Sequence, residues 1–449
     1  MSTASERPSV SDPGAEPQGV SRRGVLAGGG LGIVALAASI ATPAIAHAAP
    51  ASGATSAADA PDAFGALHRD FVARAGRDLR VGGKAWRFGG TNTYYLHVAS
   101  HYRIDSALDN AAQIGLQAVR CWAFSDGTDG GQQVVLQPKP YVYDEAAFDS
   151  LDYAVYKAGQ LGLRLVLTLT NNWSDYGGMP EYVKWFHPEL ANDEYGDSTG
   201  NTPNHDLFYT DPDIRKAYLA YVRHVITRRN RYTGLKYNQD PTIMTWELAN
   251  EPRNRSAGTG FGKSGGAPLL AWADAVSRYV KSLAPQQLVA LGDEGFGLDA
   301  SSSDYPYGGY EGNDWVKLTS LPAIDYGTVH LYPLGWGEKT DPVGWGTEWI
   351  QAHAKAAAAI GKPVVLEEFG LPMGQSLVSA DETTRDAAYQ TWVDAARSSG
   401  LNGFQFWLLT ALNDDGTLYP DYDGLRVVFP SSTATLMGAA AKAMTGSEE

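Results

Sequence analysis

Apolar runs of strand length recur between residues 86 and 409, and most follow a stretch of helical periodicity. They cover residues 86–91, 118–124, 164–170, 243–249, 288–293, 326–331, 364–368 and 403–409. The intervening helices carry their own signals. Ile214, Tyr218, Tyr221, Val222 and Val225 share one helical face behind Asp211-Pro212, an N-cap followed by proline at the first helical position. Phe148, Leu151, Val155 and Ala158 form a second such face, which Gly162 ends just before the third apolar run. Ser379 and Glu382 have the spacing of a capping box ahead of a helix carrying Ala388, Trp392 and Ala395. Eight buried runs alternating with helices predict an α/β fold, a single (β/α)8 TIM barrel.

The connections differ by side. Helix-to-strand links are short, as at 161–164 and 399–403, whereas several strand-to-helix links run for about 15 to 40 residues, far above the usual handful. Long loops at the carboxyl ends of the strands would build an open cleft there, the end of this architecture that carries chemistry.

Composition agrees with a large core: the 449 residues are 44% hydrophobic and 11% aromatic, which excludes a disordered or fibrous chain. Length alone leaves one large barrel or two ordinary domains open. The net charge of -15 argues against nucleic acid or an anionic membrane as a partner and is compatible with a neutral substrate. Cys121 is the only cysteine, so no intramolecular disulfide, cysteine zinc site or redox pair can form.

The first fifty residues read differently. Ser21-Arg22-Arg23-Gly24-Val25-Leu26 opens a Gly- and Ala-rich apolar stretch, followed by small-x-small cleavage patterns at 44–46 and 46–48. The paired arginines resemble a twin-arginine export signal. The stretch is short against the roughly 20 residues of a bilayer span. Residues 1–48 are therefore expected to be a cleaved export signal, 49–64 a flexible linker and 65–446 the catalytic barrel of a secreted protein with no membrane partner after cleavage.

Two segments carry the candidate chemistry: Trp246-Glu247-Leu248-Ala249-Asn250-Glu251-Pro252-Arg253, and Val364-Val365-Leu366-Glu367-Glu368-Phe369-Gly370. Each is an apolar run that delivers a carboxylate to a turn, so Glu251 and Glu368 would stand across one barrel mouth. Retaining glycoside hydrolysis needs such a pair about 5 to 5.5 Å apart, one to protonate the leaving oxygen and one to attack the anomeric carbon. A surface role is the bland alternative for either. Glu247 shares a strand face with Glu251 but lies about 13 Å deeper, at roughly 3.3 Å per residue, which suits a hydrogen-bonded core group. Strand alternation puts Glu367 and Glu368 on opposite faces and leaves open which one points inward.

Asn250-Glu251-Pro252 and Glu368-Phe369-Gly370 resemble glycoside hydrolase family five. The resemblance implies Glu251 as acid/base and Glu368 as nucleophile, with Arg120 holding the nucleophile ionised and Asn250 bonding the sugar 2-hydroxyl. It also selects Glu368 over Glu367. His330 and Tyr332 match the family's His-x-Tyr; alone, His330 would more often be a core histidine. Trp173 and Trp407, at strand ends, and Trp122, two residues after Arg120, are candidates for stacking on pyranose rings. Trp272, Trp349 and Trp392 are read as core.

Four further stretches, residues 88–95, 171–178, 292–296 and Arg253 directly after the Asn-Glu-Pro, are similar to the endo-β-1,4-mannanase branch of that family. This similarity implies Arg253 at a leaving-side subsite and Glu294 on sugar hydroxyls; a loop salt bridge and a helix-cap carboxylate are their plainer readings. The expectation is a secreted, monomeric, retaining endo-β-1,4-mannanase acting on β-mannan polysaccharide without metal or cofactor. A β-1,4-glucanase of the same fold, a chain-end mannosidase and a non-catalytic carbohydrate-binding protein are the alternatives.

Overall fold

The computed structural model describes residues 70–127, 134–190, 204–254, 266–299, 301–338, 340–373 and 381–446. The expected export signal, the linker and Ser379 lie outside the described residues.

The chain begins with a three-stranded antiparallel sheet, β1 (Ala73–Ala75), β2 (Asp78–Val81) and β3 (Lys84–Trp86). Eight parallel strands follow: β4 (Phe88–Asn92), β5 (Ala118–Trp122), β6 (Arg164–Thr168), β7 (Ile243–Glu247), β8 (Leu288–Ala290), β9 (Gly327–Leu331), β10 (Val364–Phe369) and β11 (Gly403–Phe406). Their order, β8-β7-β6-β5-β4-β11-β10-β9, pairs the first barrel strand with the last. This is the (β/α)8 barrel that the spacing predicts, and each of the eight barrel strands overlaps its expected run.

Between β8 and β9 there is no strand ladder; other bonds join them. Asp325 N donates to Val289 O at 2.7 Å, Thr328 Oγ1 to Asp293 O at 2.8 Å, and His330 N to Glu294 O at 3.0 Å. The last of these fixes His330 against the segment that carries Glu294.

The small sheet is absent from the sequence reading, which instead merges Trp86 into the first barrel strand. Val72, Leu79, Val81 and Phe88 pack against Ala118, Val166, Met244, Leu288 and Val365, residues near the starts of the barrel strands. The hairpins therefore plug the amino-terminal end of the barrel. On the outside, helix Ser432–Thr445 approaches β4 so closely that a Cβ on Gly89 would stand 2.4 Å from Ala441 Cβ.

The helix punctuation has its physical cause on the page. Asp211 caps helix Pro212–Thr227, accepting from Asp213 N at 2.8 Å and Ile214 N at 3.0 Å. Gly162 ends helix Asp149–Leu161 at φ 78. Helix Glu382–Ser398 differs from expectation: its cap is Asp381, whose carboxylate accepts from Thr384 N at 2.8 Å. An aspartate immediately before the first turn is the nearer acceptor and complements the helix dipole directly. Trp272, Trp349 and Trp392 are fully buried, as core residues should be.

Candidate active site

The fourth barrel strand hands its carboxylate to the mouth through a constrained turn. Past β7 the chain bends at Leu248 but remains tied to its neighbours, Ala249 N donating to Leu291 O at 3.1 Å and Asn250 N to Thr170 O at 2.8 Å. Glu251 N then donates to Gly292 O at 2.8 Å while Glu251 itself adopts φ 50, a left-handed conformation few non-glycine residues take. Pro252 follows and prevents the strand from continuing. Gly292, at φ 85, makes the close approach possible: a Cβ there would lie 2.0 Å from Ala249 O and 3.3 Å from Glu247 Cδ.

The seventh strand departs from simple alternation. Leu366 pairs with Val329 but Glu368 pairs with His330, so Glu367 is the extra residue of a bulge. Both neighbours consequently reach Arg120, Glu368 Oε1 at 2.5 Å from Nη1 and Glu367 Oε2 at 3.8 Å from Nε. The expectation that they face opposite sides is corrected here, because a bulge resets the period of two that the expectation assumes.

Arg120 is the hub. Its Nε donates to Glu247 Oε2 at 2.8 Å, Nη1 also to Asn92 Oδ1 at 3.1 Å, and Nη2 to Asn250 Oδ1 at 2.7 Å. Burial opposes the guanidinium charge, yet Glu247, Glu367 and Glu368 together hold its pKa well above normal. Glu368 Oε2 accepts from the Tyr332 hydroxyl at 2.6 Å, so both oxygens of this carboxylate are fixed. Glu247, wholly buried, also accepts from Thr168 Oγ1 at 2.6 Å.

Glu251 is fixed from two sides. His330 Nδ1 lies 2.9 Å from Oε1, and Trp173 Nε1 donates to Oε2 at 2.5 Å. Burial disfavours a charged imidazole, but Glu368, Glu251 and Glu367 outweigh it and raise the His330 pKa well above its ordinary value. Glu251, His330 and Glu368 converge with their polar atoms within 4.8 Å of one another. Such a trio could attract a cation, but each of the four carboxylate oxygens already has a hydrogen-bond partner in Arg120, Tyr332, His330 or Trp173.

Arg253 lies beside this centre. Its Nε and Nη2 donate to Glu294 at 2.8 and 2.9 Å in a bidentate pair, Nη1 lies 3.1 Å from Glu311, and the guanidinium sits 4.7 Å from the Trp173 ring centre and 5.0 Å from that of Phe296. The salt bridge that is the plainer reading of Arg253 is thus present in the structure, at a position that touches Trp173, and Glu294 is its partner rather than a helix cap. Trp407 stacks on Tyr94, rings 5.3 Å apart and 3° from parallel, and its Nε1 donates to Asp423 Oδ2 at 2.9 Å. Trp122 is in the same aromatic layer, 4.9 Å from Tyr94 and 5.2 Å from Phe124.

Sequence reasoning did not single out Tyr94, Phe296, Glu311 or Asp423. Tyr94 and Phe296 fall inside the stretches that carry the resemblance, which was the available signal. Glu311 and Asp423 sit in long loops with no pattern to mark them.

Comparison with known proteins places this geometry. The family described as GH family 5 beta-mannosidase-like matches residues 69–415. Mannan endo-1,4-beta-mannosidase 8 of Oryza sativa is 34% identical over 379 residues, spanning 81% of this chain and 96% of that protein. Mannan endo-1,4-beta-mannosidase A of Hypocrea jecorina is 34% identical, spanning 75% and 69%. Among solved structures, the endo-β-1,4-mannanase of Thermotoga petrophila superposes with a TM-score of 0.71 at 38% identity, over 82% of this chain and 78% of that one. The endo-1,4-β-mannanase of Rhizomucor miehei gives 0.72 at 33%, over 84% and 99%. With the matched region running from the first hairpin to beyond the last barrel strand, and with both glutamates inside it, the chain belongs to glycoside hydrolase family five.

Proposed function

We propose that the chain is an endo-β-1,4-mannanase that hydrolyses internal bonds of β-mannan with retention of configuration. The observation that carries the reading is the convergence of Glu251 and Glu368, which bring one carboxylate oxygen each to within 4.8 Å of the other and share His330 as a neighbour. An inverting pair stands about 6.5–9.5 Å apart to admit a water between acid and base; a retaining pair is at about 5–5.5 Å. The names of the relatives support mannan as substrate.

In this reading Glu368 attacks the anomeric carbon as Glu251 gives its proton to the departing glycosidic oxygen. The C1–O bond to the leaving sugar breaks and an ester to Glu368 forms. Glu251, now a carboxylate, takes a proton from water, whose oxygen displaces Glu368 and regenerates both groups. Arg120 and Tyr332 aim the nucleophile and disperse its charge, and Asn250, held by Arg120, is placed for the 2-hydroxyl. Trp173 and His330 aim the acid.

The direct test is parallel hydrolysis of galactomannan and carboxymethylcellulose with product sizing and an NMR time course. Rapid shortening of mannan to oligosaccharides, with β-anomer first, is expected. Preference for the cellulose derivative, release of mannose alone or α-anomer first would each overturn a named part of the reading.

Trp173→Phe tests the support of the acid. The substitution keeps an aromatic plane beside Arg253 but removes the N–H that reaches Glu251. Losing one hydrogen bond to a charged group predicts kcat/KM lower by about 10- to 100-fold. Wild-type kcat/KM would remove Trp173 from the account.

A further inference from the structure

Four carboxyl groups, Glu247, Glu251, Glu367 and Glu368, crowd around Arg120 and His330. The proposed mechanism uses Glu251 and Glu368. The other two lie below them, both wholly buried, with side chains within hydrogen-bonding reach of each other and both within 4 Å of Arg120 Nε, at 2.8 and 3.8 Å. A carboxylate has acceptors only, so two carboxyl groups bond to each other only when one carries a proton.

We propose that Glu367 is a neutral acid that shares its proton with Glu247, and that this buried pair is a positioning device that keeps Arg120 on the nucleophile Glu368. The proposal rests on the reading of Glu368 as nucleophile.

Unsatisfied oxygens supply the first argument. Among the described residues, no well-aligned donor reaches Glu247 Oε1 or either oxygen of Glu367; His330 Nε2 stands 3.5 Å from Glu367 Oε2. Three buried acceptor oxygens without donors would be costly for two anions, and one shared proton gives the pair its own internal bond.

The surroundings decide which group holds the proton. Glu247 faces Arg120 Nε at 2.8 Å from β5 and Thr168 Oγ1 at 2.6 Å from β6, while Gly292 leaves no side chain between it and the fifth strand. Glu367 is 3.8 Å from the same Nε, and Asn92 of β4 reaches only its main-chain oxygen, at 2.9 Å. From the β9 side it faces His330 and Tyr326, the latter donating to Thr245 Oγ1 at 3.2 Å, and Glu368 follows it on its own strand. Burial and the Glu247 charge push Glu367 well above the usual carboxyl range, whereas Arg120 outweighs burial and holds Glu247 below it. Neighbouring acids driven apart in this way divide into one donor and one anion.

The bulge matters for the consequence. It turns Glu367 inward beside Glu368, so an ionised Glu367 would compete for the guanidinium that Glu368 needs. Neutral, it leaves Arg120 with Nε on Glu247 and Nη1 on Glu368. A carboxyl with a raised folded pKa keeps its proton at low pH and loses it as pH rises, so the device fails on the alkaline side of the activity profile.

Neutron diffraction of the wild-type protein should place a deuteron on a Glu367 oxygen directed at Glu247; an ionised Glu367 in that map would overturn the proposal whatever the enzyme's substrate. Kinetics tests the positioning role separately. Glu367→Gln retains a neutral donor of the same shape, so kcat on mannan should stay within about threefold, and the alkaline limb should move up by about one pH unit or more. A folded Glu367→Gln enzyme whose kcat drops by about 100-fold or more, or whose alkaline limb does not move, would sink the positioning role. An active-site assignment that is itself wrong would be revealed by mannan hydrolysis that survives loss of Glu368, with the neutron result still standing.

Discussion

Glu368→Ala is expected to lower mannan hydrolysis by about 10⁴-fold or more while leaving a folded protein that binds mannooligosaccharides. The substitution removes the atom that would form the glycosyl ester, and no neighbour replaces it. Glu251 is tied to His330 and Trp173, and Glu367 lies deeper with its proton committed to Glu247 under the proposal above. Folding should survive because Arg120 keeps Glu247, Asn92 and Asn250 as partners. The space vacated suits a small anion: azide should restore turnover of an activated β-mannoside and yield the α-mannosyl azide. Activity near wild type, or rescue giving the β-azide, would remove Glu368 from the nucleophile's role.

Glu251→Ala should fail in a different manner. Mannan has a poor leaving group that needs the proton, so kcat/KM on polymer should fall by about 10²- to 10⁴-fold. An aryl mannobioside with a strongly acidic phenol needs little help to depart, so its first step should be nearly spared. The second step then loses its base, the glycosyl-enzyme accumulates, and KM should drop along with kcat. Azide should here give the β-mannosyl azide, because it attacks the intermediate from the side that water uses. Equal losses on polymer and activated substrate would contradict the acid/base role. The two variants together separate the roles, since each predicts a product stereochemistry that the other excludes.

Most of the barrel was legible because its strands are buried on both faces and so appear as predominantly apolar runs, such as residues 164–170 and 243–249. The hairpins were not, because strands of three or four residues with mixed exposure leave no pattern to read. Glu251 and Glu368 could be found at run ends, and depth along the strand set Glu247 apart. Glu367 could not be placed by the same reasoning: a bulge is a local change of register, and alternation presumes that none occurs. The link from Trp173 to Glu251 joins the ends of two strands across 78 positions in sequence, a distance no local pattern spans. Arg253 shows a related limit. The family resemblance implied contact with substrate, whereas its fork is already occupied by Glu294 and Glu311, so its effect on substrate would pass partly through the plane of Trp173.

The hairpin plug also decides how the molecule can be attached to anything else. Asp70 is tied by its main-chain oxygen to Arg164 Nη2 at 2.9 Å, at the start of β6, so the described chain enters the barrel on the end opposite Glu251 and Glu368. A bead, scaffold or partner domain joined ahead of that point would trail from the closed end. The mouth would then face outward, toward a polymer far too long to diffuse around an obstruction.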